Sequence, residues 1–171
     1  MAGLWFEQLE PGLRVEHAIT RTVTETDNVL FTTMTMNPQP LHLDAEFAAR
    51  TEFGRPLVNS LFTLGLVVGL AVPELTLGTT VANLGFSRVD FPAPVFAGDT
   101  IRVRARVVEK TPRGRGKRGE VVWYRAIYNQ DGKVVHDGEI VTLVECRPLT
   151  VPGADGAADE AARAAANGAT V

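Results

Sequence analysis

Apolar residues follow one another most densely over residues 57–72, where no charged side chain interrupts the run. A stretch that is apolar on nearly every side predicts a helix buried on all sides within a soluble fold. It falls short of the ~18–20 apolar residues that a membrane span needs. Arg55-Pro56 marks the expected start, since proline suits a first helical turn, and Pro73 the expected end. Gly65 and Gly69, four apart, are expected to let a sheet lie close against this helix.

Elsewhere a period of two predicts strands. Over residues 101–107, Ile101, Val103, Ala105 and Val107 point one way and Arg102, Arg104 and Arg106 the other. This is the pattern of a half-buried strand with a solvated arginine face. Residues 13–23 alternate too, as do Ala82, Leu84 and Phe86. Two β-rich runs, 120–128 and 134–146, flank Asn129-Gln130-Asp131-Gly132, whose Asp-Gly pair marks a hairpin turn. Residues 109–119 read as another hairpin connection. Short helices are predicted near Thr26-Asp27, where Asp27 reads as a helix-start residue, and over 45–51 with Asp44 as N-cap. The order is one strand, small helices, a long apolar helix, then four strands in a meander. It predicts an α+β fold, a curved antiparallel sheet wrapped around one long buried helix. Such a sheet has two edges, and a second copy of the chain is the natural cover for one of them.

Composition narrows the classes. The 171 residues are 45% hydrophobic and 22% charged, an ordinary globular balance and the length of one domain. Seventeen Lys and Arg against twenty Asp and Glu leave a net charge of −3, which argues against nucleic acid as a partner. A single cysteine, Cys146, excludes an internal disulfide and a multi-cysteine metal site. No basic region precedes an apolar run at the first residues, so a cytoplasmic location with no membrane contact is expected. Residues 149–171 are rich in Ala and Gly and read as a mobile tail after a domain over 1–148.

Histidine is scarce. His17 shares its register with Leu13, Val15 and Ile19 and reads as structural; His136 follows a hairpin turn beside Asp137-Gly138 and reads as a solvated surface residue. His42 lies in Asn37-Pro38-Gln39-Pro40-Leu41-His42-Leu43-Asp44, just upstream of the apolar helix. Two prolines stiffen this loop and two amides, Asn37 and Gln39, accompany the imidazole. A rigid loop that presents an imidazole suits a general acid/base, although a capping or hydrogen-bonded histidine would look the same.

The segments NPQPLHLDAEF (37–47) and FGRPLVNSL (53–61) resemble the MaoC-like dehydratases, the (R)-specific enoyl-CoA hydratase family. So do FPAPVFAGD (91–99) and Gly138-Glu139-Ile140-Val141. The resemblance covers about residues 10–148 in order and implies the hot-dog fold, a sheet wrapped around a long central helix. It implies hydro-lyase activity, the reversible hydration of an enoyl-CoA thioester, with active sites lined by two subunits and coenzyme A as part of the substrate rather than a cofactor. The family pairs an Asp with a His five residues later; counting back from His42 gives Asn37 (42 − 5 = 37), an amide. A shifted alignment places Thr35 at the aspartate position. Gln39 replaces the family's Asn, and Asn59-Ser60 replaces its His-Gly at the helix start. This variant, with Tyr128-Asn129-Gln130 and Gly132 downstream, resembles a subgroup associated with mesaconyl-CoA or related branched dicarboxylyl-CoA hydration.

Asn37 cannot exchange protons at neutral pH, so the proton work falls on His42 unless Asp27 or Asp44 contributes. Negative charge building on the thioester oxygen needs a donor, and the backbone N–H at Ser60, beside Asn59, stands where the family uses a glycine N–H. Arg113, Arg115, Lys117 and Arg118 form either a solvated hairpin tip or a clamp for coenzyme A phosphates. The competing functions are an acyl-CoA thioesterase and a non-catalytic acyl-CoA-binding subunit. Residues 59–70 carry no carboxylate, which counts against the thioesterase.

Overall fold

The computed structural model describes residues 3–148, so the tail expected over 149–171 lies outside the described residues. Two short strands, β1 (Arg14–Glu16) and β2 (Arg21–Thr22), lead into a helical layer. That layer holds α1 (Glu25–Met34), α2 (Pro40–Leu43), α3 (Ala45–Ala49), α4 (Ser60–Gly69) and α5 (Val72–Leu75). Four long strands follow: β3 (Thr80–Asp90), β4 (Thr100–Arg113), β5 (Arg118–Tyr128) and β6 (Val134–Glu145). The antiparallel sheet runs β1-β4-β5-β6-β3, with β2 also on β4. The alternation of residues 101–107 is realised as expected, because Ile101, Val103, Ala105 and Val107 are all buried. They pack in one core with Val121, Trp123 and Ile127 of β5 and with Val67, Ala71 and Leu75 from the helices.

Several expectations need correction. The four last strands are not a simple meander, since β3 pairs with β6 and not with its successor β4. Residues 91–99 therefore carry the chain from one side of the sheet to the other. The crossing is pinned: Val58 N–H donates to Val95 O (2.9 Å), Gly98 N–H to Val23 O (2.8 Å) and Phe96 N–H to Asp99 Oδ2 (2.8 Å). The alternating run 13–23 breaks into β1 and β2 around His17. The expected loop 109–119 is mostly strand, because β4 and β5 stay paired from Glu109↔Val122 to Arg113↔Arg118. Only Gly114–Gly116 turns, with Arg115 at φ 57. The Asn129 turn is as predicted, with Asn129 Oδ1 accepting from Asp131 N–H (3.1 Å) and Lys133 N–H (2.9 Å).

The apolar run 57–72 does not form one enclosed helix. α4 begins at Ser60 because the Asn59 side chain caps it, accepting from Leu61 N–H at 3.0 Å. Residues 56–59 belong to no helix, and Asn59 has an extended backbone (φ −60, ψ 123). Pro73 does not close the helix but opens the next one, in the first turn of α5. The sheet covers one side of α4 only: Thr63 and Val67 are buried while Leu61 is 55% exposed. Gly65 and Gly69 face away from the sheet, for a Cβ at either meets nothing within 4 Å. They serve no close approach within this chain.

Candidate active site

The loop that carries His42 is held from both ends. At its start, α1 ends in a Schellman-type turn, with Met36 N–H on Thr33 O and Asn37 N–H on Thr32 O, both 3.0 Å. Met36 takes the left-handed position at φ 54, one that favours glycine. Thr35 is spent on the same helix end, its hydroxyl donating to Phe31 O (2.9 Å) and Thr32 O (3.2 Å), so it does not fill an acid's place. Asn37 folds into its own loop, where Oδ1 accepts from Gln39 N–H at 3.1 Å. The Gln39 side chain is exposed, while its carbonyl accepts from His42 N–H at 3.1 Å. At the other end Asp44 caps α3, accepting from Phe47 N–H at 2.9 Å, the helix-cap role expected of it.

A buried amide network ties this loop to the start of α4. Asn28 Nδ2 donates to His42 O (3.0 Å) and Leu57 O (3.2 Å), and Asn28 Oδ1 accepts from Asn59 N–H (2.9 Å). Asn59 Nδ2 reaches Thr32 Oγ1 at 3.4 Å. Asn28 and Asn59 are each 3% exposed, so these bonds form away from water, where an unmade one would be costly. Sequence reasoning missed Asn28 and Thr32. Their spacing of four on α1 was visible, but their partners lie 14 to 31 residues away.

His42 Nδ1 lies 2.7 Å from Leu57 O, and a carbonyl can only accept. The hydrogen therefore sits on Nδ1, which leaves the Nε2 lone pair of the neutral ring free to take a proton. Three residues further on, the first turn of α4 offers its donors. Leu61 N–H is taken by the Asn59 cap and Phe62 N–H by Asn59 O at 3.0 Å. Ser60 N–H has no acceptor among the described residues. Ser60 lines a cleft of about 350 Å³ together with Phe53, Leu57, Thr63, Phe91 and Val95 among others, a lining that does not include His42. The crossing loop 91–99 thus supplies one wall and α4 the other.

The remaining candidates lie elsewhere. Asp27 starts α1: burial works against its charge, but the Thr24 N–H and hydroxyl and the Arg21 guanidinium hold its carboxyl below the usual range. His17 is buried on Glu74, as a structural histidine should be. His136 corrects the sequence reading, for it is 1% exposed and its ring packs edge-on to Phe91 at 4.9 Å. The basic tip with Arg113, Arg115, Lys117 and Arg118 lies at the far end of the sheet. Arg118 pairs with Glu145, while the cleft touches Val135 at the opposite end of β6. Ten residues of strand (145 − 135 = 10) at about 3.3 Å each separate them by about 33 Å. Arg113 is moreover engaged by Glu120 at 3.1 Å. The tip does not reach the cleft of its own chain.

Among the described residues no cluster of three or more His, Cys, Asp or Glu is placed to hold a metal ion. Among the described residues no helix is long and apolar enough to cross a membrane.

The profile of the MaoC like domain matches residues 7–125. The 3-hydroxybutyryl-CoA dehydratase of Methylorubrum extorquens is 32% identical over 156 residues, covering 86% of this chain and 91% of that protein. The mesaconyl-CoA hydratase of Cereibacter sphaeroides is 32% identical over 152 residues, covering 88% of this chain but 44% of that protein. The chain thus spans less than half the length of that relative. Among solved structures, the MaoC-like dehydratase from Rhodospirillum rubrum superposes with a TM-score of 0.74 at 29% identity, covering 86% of this chain and 100% of that one. A double hotdog-fold protein from Mycobacterium tuberculosis gives a TM-score of 0.76 at 21% identity over 88% of this chain and 47% of that one, a likeness of fold alone. With a family match over most of the described residues and an antiparallel sheet packed against α4, the chain belongs to the MaoC-like family and has its hot-dog fold.

Proposed function

We propose that this chain hydrates the double bond of an enoyl-CoA thioester, reversibly. The observation that carries the reading is a His42 ring held by its Nδ1–H on the carbonyl of Leu57, a residue of the cleft wall, three residues before Ser60, whose N–H has no acceptor among the described residues and which lines the same cleft. Neutral His42 takes a proton from water as the oxygen adds to the β-carbon. The electron pair of the C=C bond shifts onto the thioester oxygen, where the Ser60 N–H holds the charge. His42, now protonated, returns its proton to the α-carbon, so one imidazole serves as base and then acid. The amide Nδ2 of Asn37 is left to orient the water, since its Oδ1 is taken by the Gln39 N–H. This chemistry asks for no cofactor beyond the coenzyme A that the substrate carries.

Arg55 is the cation best placed for the coenzyme A phosphates of the same chain's site. Its guanidinium lies 4.0 Å over Phe96, whose chain neighbour Val95 lines the cleft. The assembly proposed is a homodimer through β3. Among the described residues that strand has an unpaired edge of eleven residues and shows Leu84 (51% exposed) and Phe86 (40%), while Leu61 stands open on α4. Any coenzyme A contact made by the basic tip is then with a neighbour's site.

The test is one incubation with crotonyl-CoA and mesaconyl-CoA, following enoyl absorbance and free thiol separately. Absorbance loss without thiol is the expected outcome. Thiol release would identify a thioesterase, and binding with neither change an acyl-CoA-binding subunit.

A further inference from the structure

The outer face of the sheet carries a second groove. Arg102, Arg104 and Arg106 on β4 alternate with Ile101, Val103, Ala105 and Val107, which pack in the core. The arginines therefore stand on the side away from α4 and the cleft. Here a groove of about 580 Å³ lies between Arg14, Arg106 and Tyr124 on one side and Glu16, Arg104 and Tyr128 on the other. Its size suits one small molecule, since such sites span about 300–1,000 Å³. The two walls follow from strand register. Arg14 pairs with Arg106 and Arg106 with Tyr124, while Glu16 pairs with Arg104, whose guanidinium leans over the Tyr128 ring at 4.6 Å.

Charge and spacing restrict what fits there. Glu16 Oε1 engages Arg104 at 3.2 Å, whereas Arg14 and Arg106, both exposed, meet no carboxylate among the described residues. These two are cross-strand partners, and like charges directly opposite repel one another unless an anion comes between them. A phosphate in that position accepts from both guanidiniums. The walls stand two residues apart on β4, roughly 6.6 Å at 3.3 Å per residue. Two van der Waals contacts of about 3.5 Å need nearly the same width, so a flat ring fits between phenol and guanidinium faces on both sides. Glu16 Oε2 lies outside the ion pair and is left to accept from hydroxyls. A net charge of −3 tells against a polyanion, but a single small anion needs only this local field.

We infer that this groove binds a nucleoside phosphate. The base stacks between the wall of Arg106 and Tyr124 and that of Arg104 and Tyr128, the ribose hydroxyls donate to Glu16, and the phosphates lie on Arg14 and Arg106. Ring, diol and phosphate each meet a side chain of matching chemistry, which neither an inorganic anion nor an acidic peptide would use in full. The site is separate from the coenzyme A path assigned to Arg55 and does not depend on the hydratase reading. The sheet stands between groove and cleft, so both can be filled at once.

Calorimetry on the full chain with ADP, adenosine and pyrophosphate tests the inference. In the unaltered protein ADP should bind about tenfold or more tighter than either fragment, since the stacked base and the held phosphates both contribute. Tyr128→Leu should weaken ADP by about tenfold and leave pyrophosphate unchanged. Arg14→Gln combined with Arg106→Gln should weaken ADP and pyrophosphate alike, most at low salt. Arg55→Gln, at the cleft, should leave ADP binding as it was. ADP affinity that falls in Arg55→Gln and survives the groove substitutions would put the nucleotide on the coenzyme A path and overturn the proposal. Equal affinity for ADP and pyrophosphate would reduce the groove to an anion patch, and no ADP binding at all to a solvated arginine face; either result overturns it too. The comparison of the three ligands uses the unaltered protein and decides the matter if a variant does not fold.

Discussion

Asn28 shows how a single side chain sets the site. Its amide satisfies the carbonyls of His42 and Leu57 and the N–H of Asn59, so it joins the loop that carries His42 to the start of α4. Asn28→Leu would leave buried backbone groups unpaired and should cost about 2–4 kcal/mol. It should also lower kcat by about tenfold to a hundredfold below the unfolding temperature, since small misplacements of catalytic groups are expensive in rate. Thermal unfolding and initial rates on the same sample check both; a destabilised but fully active variant would show that the network is structural only. The rigid loop around His42 was legible because prolines and amides in one short segment announce a fixed, polar presentation. Asn28 was not, because on α1 it reads as any helix asparagine until its partners arrive from Leu57 and Asn59. Arg125, buried on β5, had a visible signal, its parity with Val121, Trp123 and Ile127, but a single charge in an apolar register is easily read as an exposed face. For His136 the register was uninformative, since both parities of β6 carry apolar residues.

At the scale of elements, the sheet was legible wherever one face is polar, as on β4. The helix α4 was located but its bounds were not. An apolar run says nothing about where capping begins, and here the Asn59 cap and the non-helical residues before it outweigh the proline signal. The neighbour order of β3 was equally hidden, because a crossover leaves no period in the sequence. The turn after α1 holds a further consequence. Met36 is 88% exposed at φ 54, so its side chain gains little there and its backbone is held against preference. Met36→Gly should raise stability by about 0.5–1 kcal/mol, the left-handed cost less the added freedom of the unfolded chain. A thermal midpoint about 2 °C higher would show it. A lower midpoint would mean that the Met36 side chain holds the loop more than its backbone strains it.

For the molecule as a whole, two buried histidines set the response to acid. Burial pushes both His17 and His136 below the ordinary imidazole value, with Glu74 opposing this at His17. The unfolded chain therefore binds protons that the folded chain refuses, and stability is full above about pH 6.5 and declines as pH falls below it. Thermal midpoints between pH 8 and 5 should fall on the acid side, and less so in His136→Phe; a flat profile would contradict the sign. Assembly provides another whole-molecule prediction. Because the basic tip is far from its own cleft, neutralising Arg113, Arg115, Lys117 and Arg118 together should leave turnover nearly intact. The KM for acyl-CoA should rise only if a neighbour's site uses the tip, and then most at low salt. An equal KM at low ionic strength would make it a solvated hairpin tip.

The central claim, that the Ser60 N–H stabilises a thioester oxyanion made with the help of His42, has a direct test in Ser60→Pro. Proline is well accepted at the first position of a helix, and Asn59 before it already has the extended backbone that precedes proline (φ −60, ψ 123). The substitution therefore removes the N–H and leaves the helix in place. Initial rates of enoyl absorbance loss on crotonyl-CoA should fall by about 10²–10³-fold in Ser60→Pro with an unchanged thermal midpoint, while Ser60→Ala, which keeps the N–H, stays within a few-fold of the unaltered protein. A folded Ser60→Pro that hydrates as fast as Ser60→Ala would contradict the account.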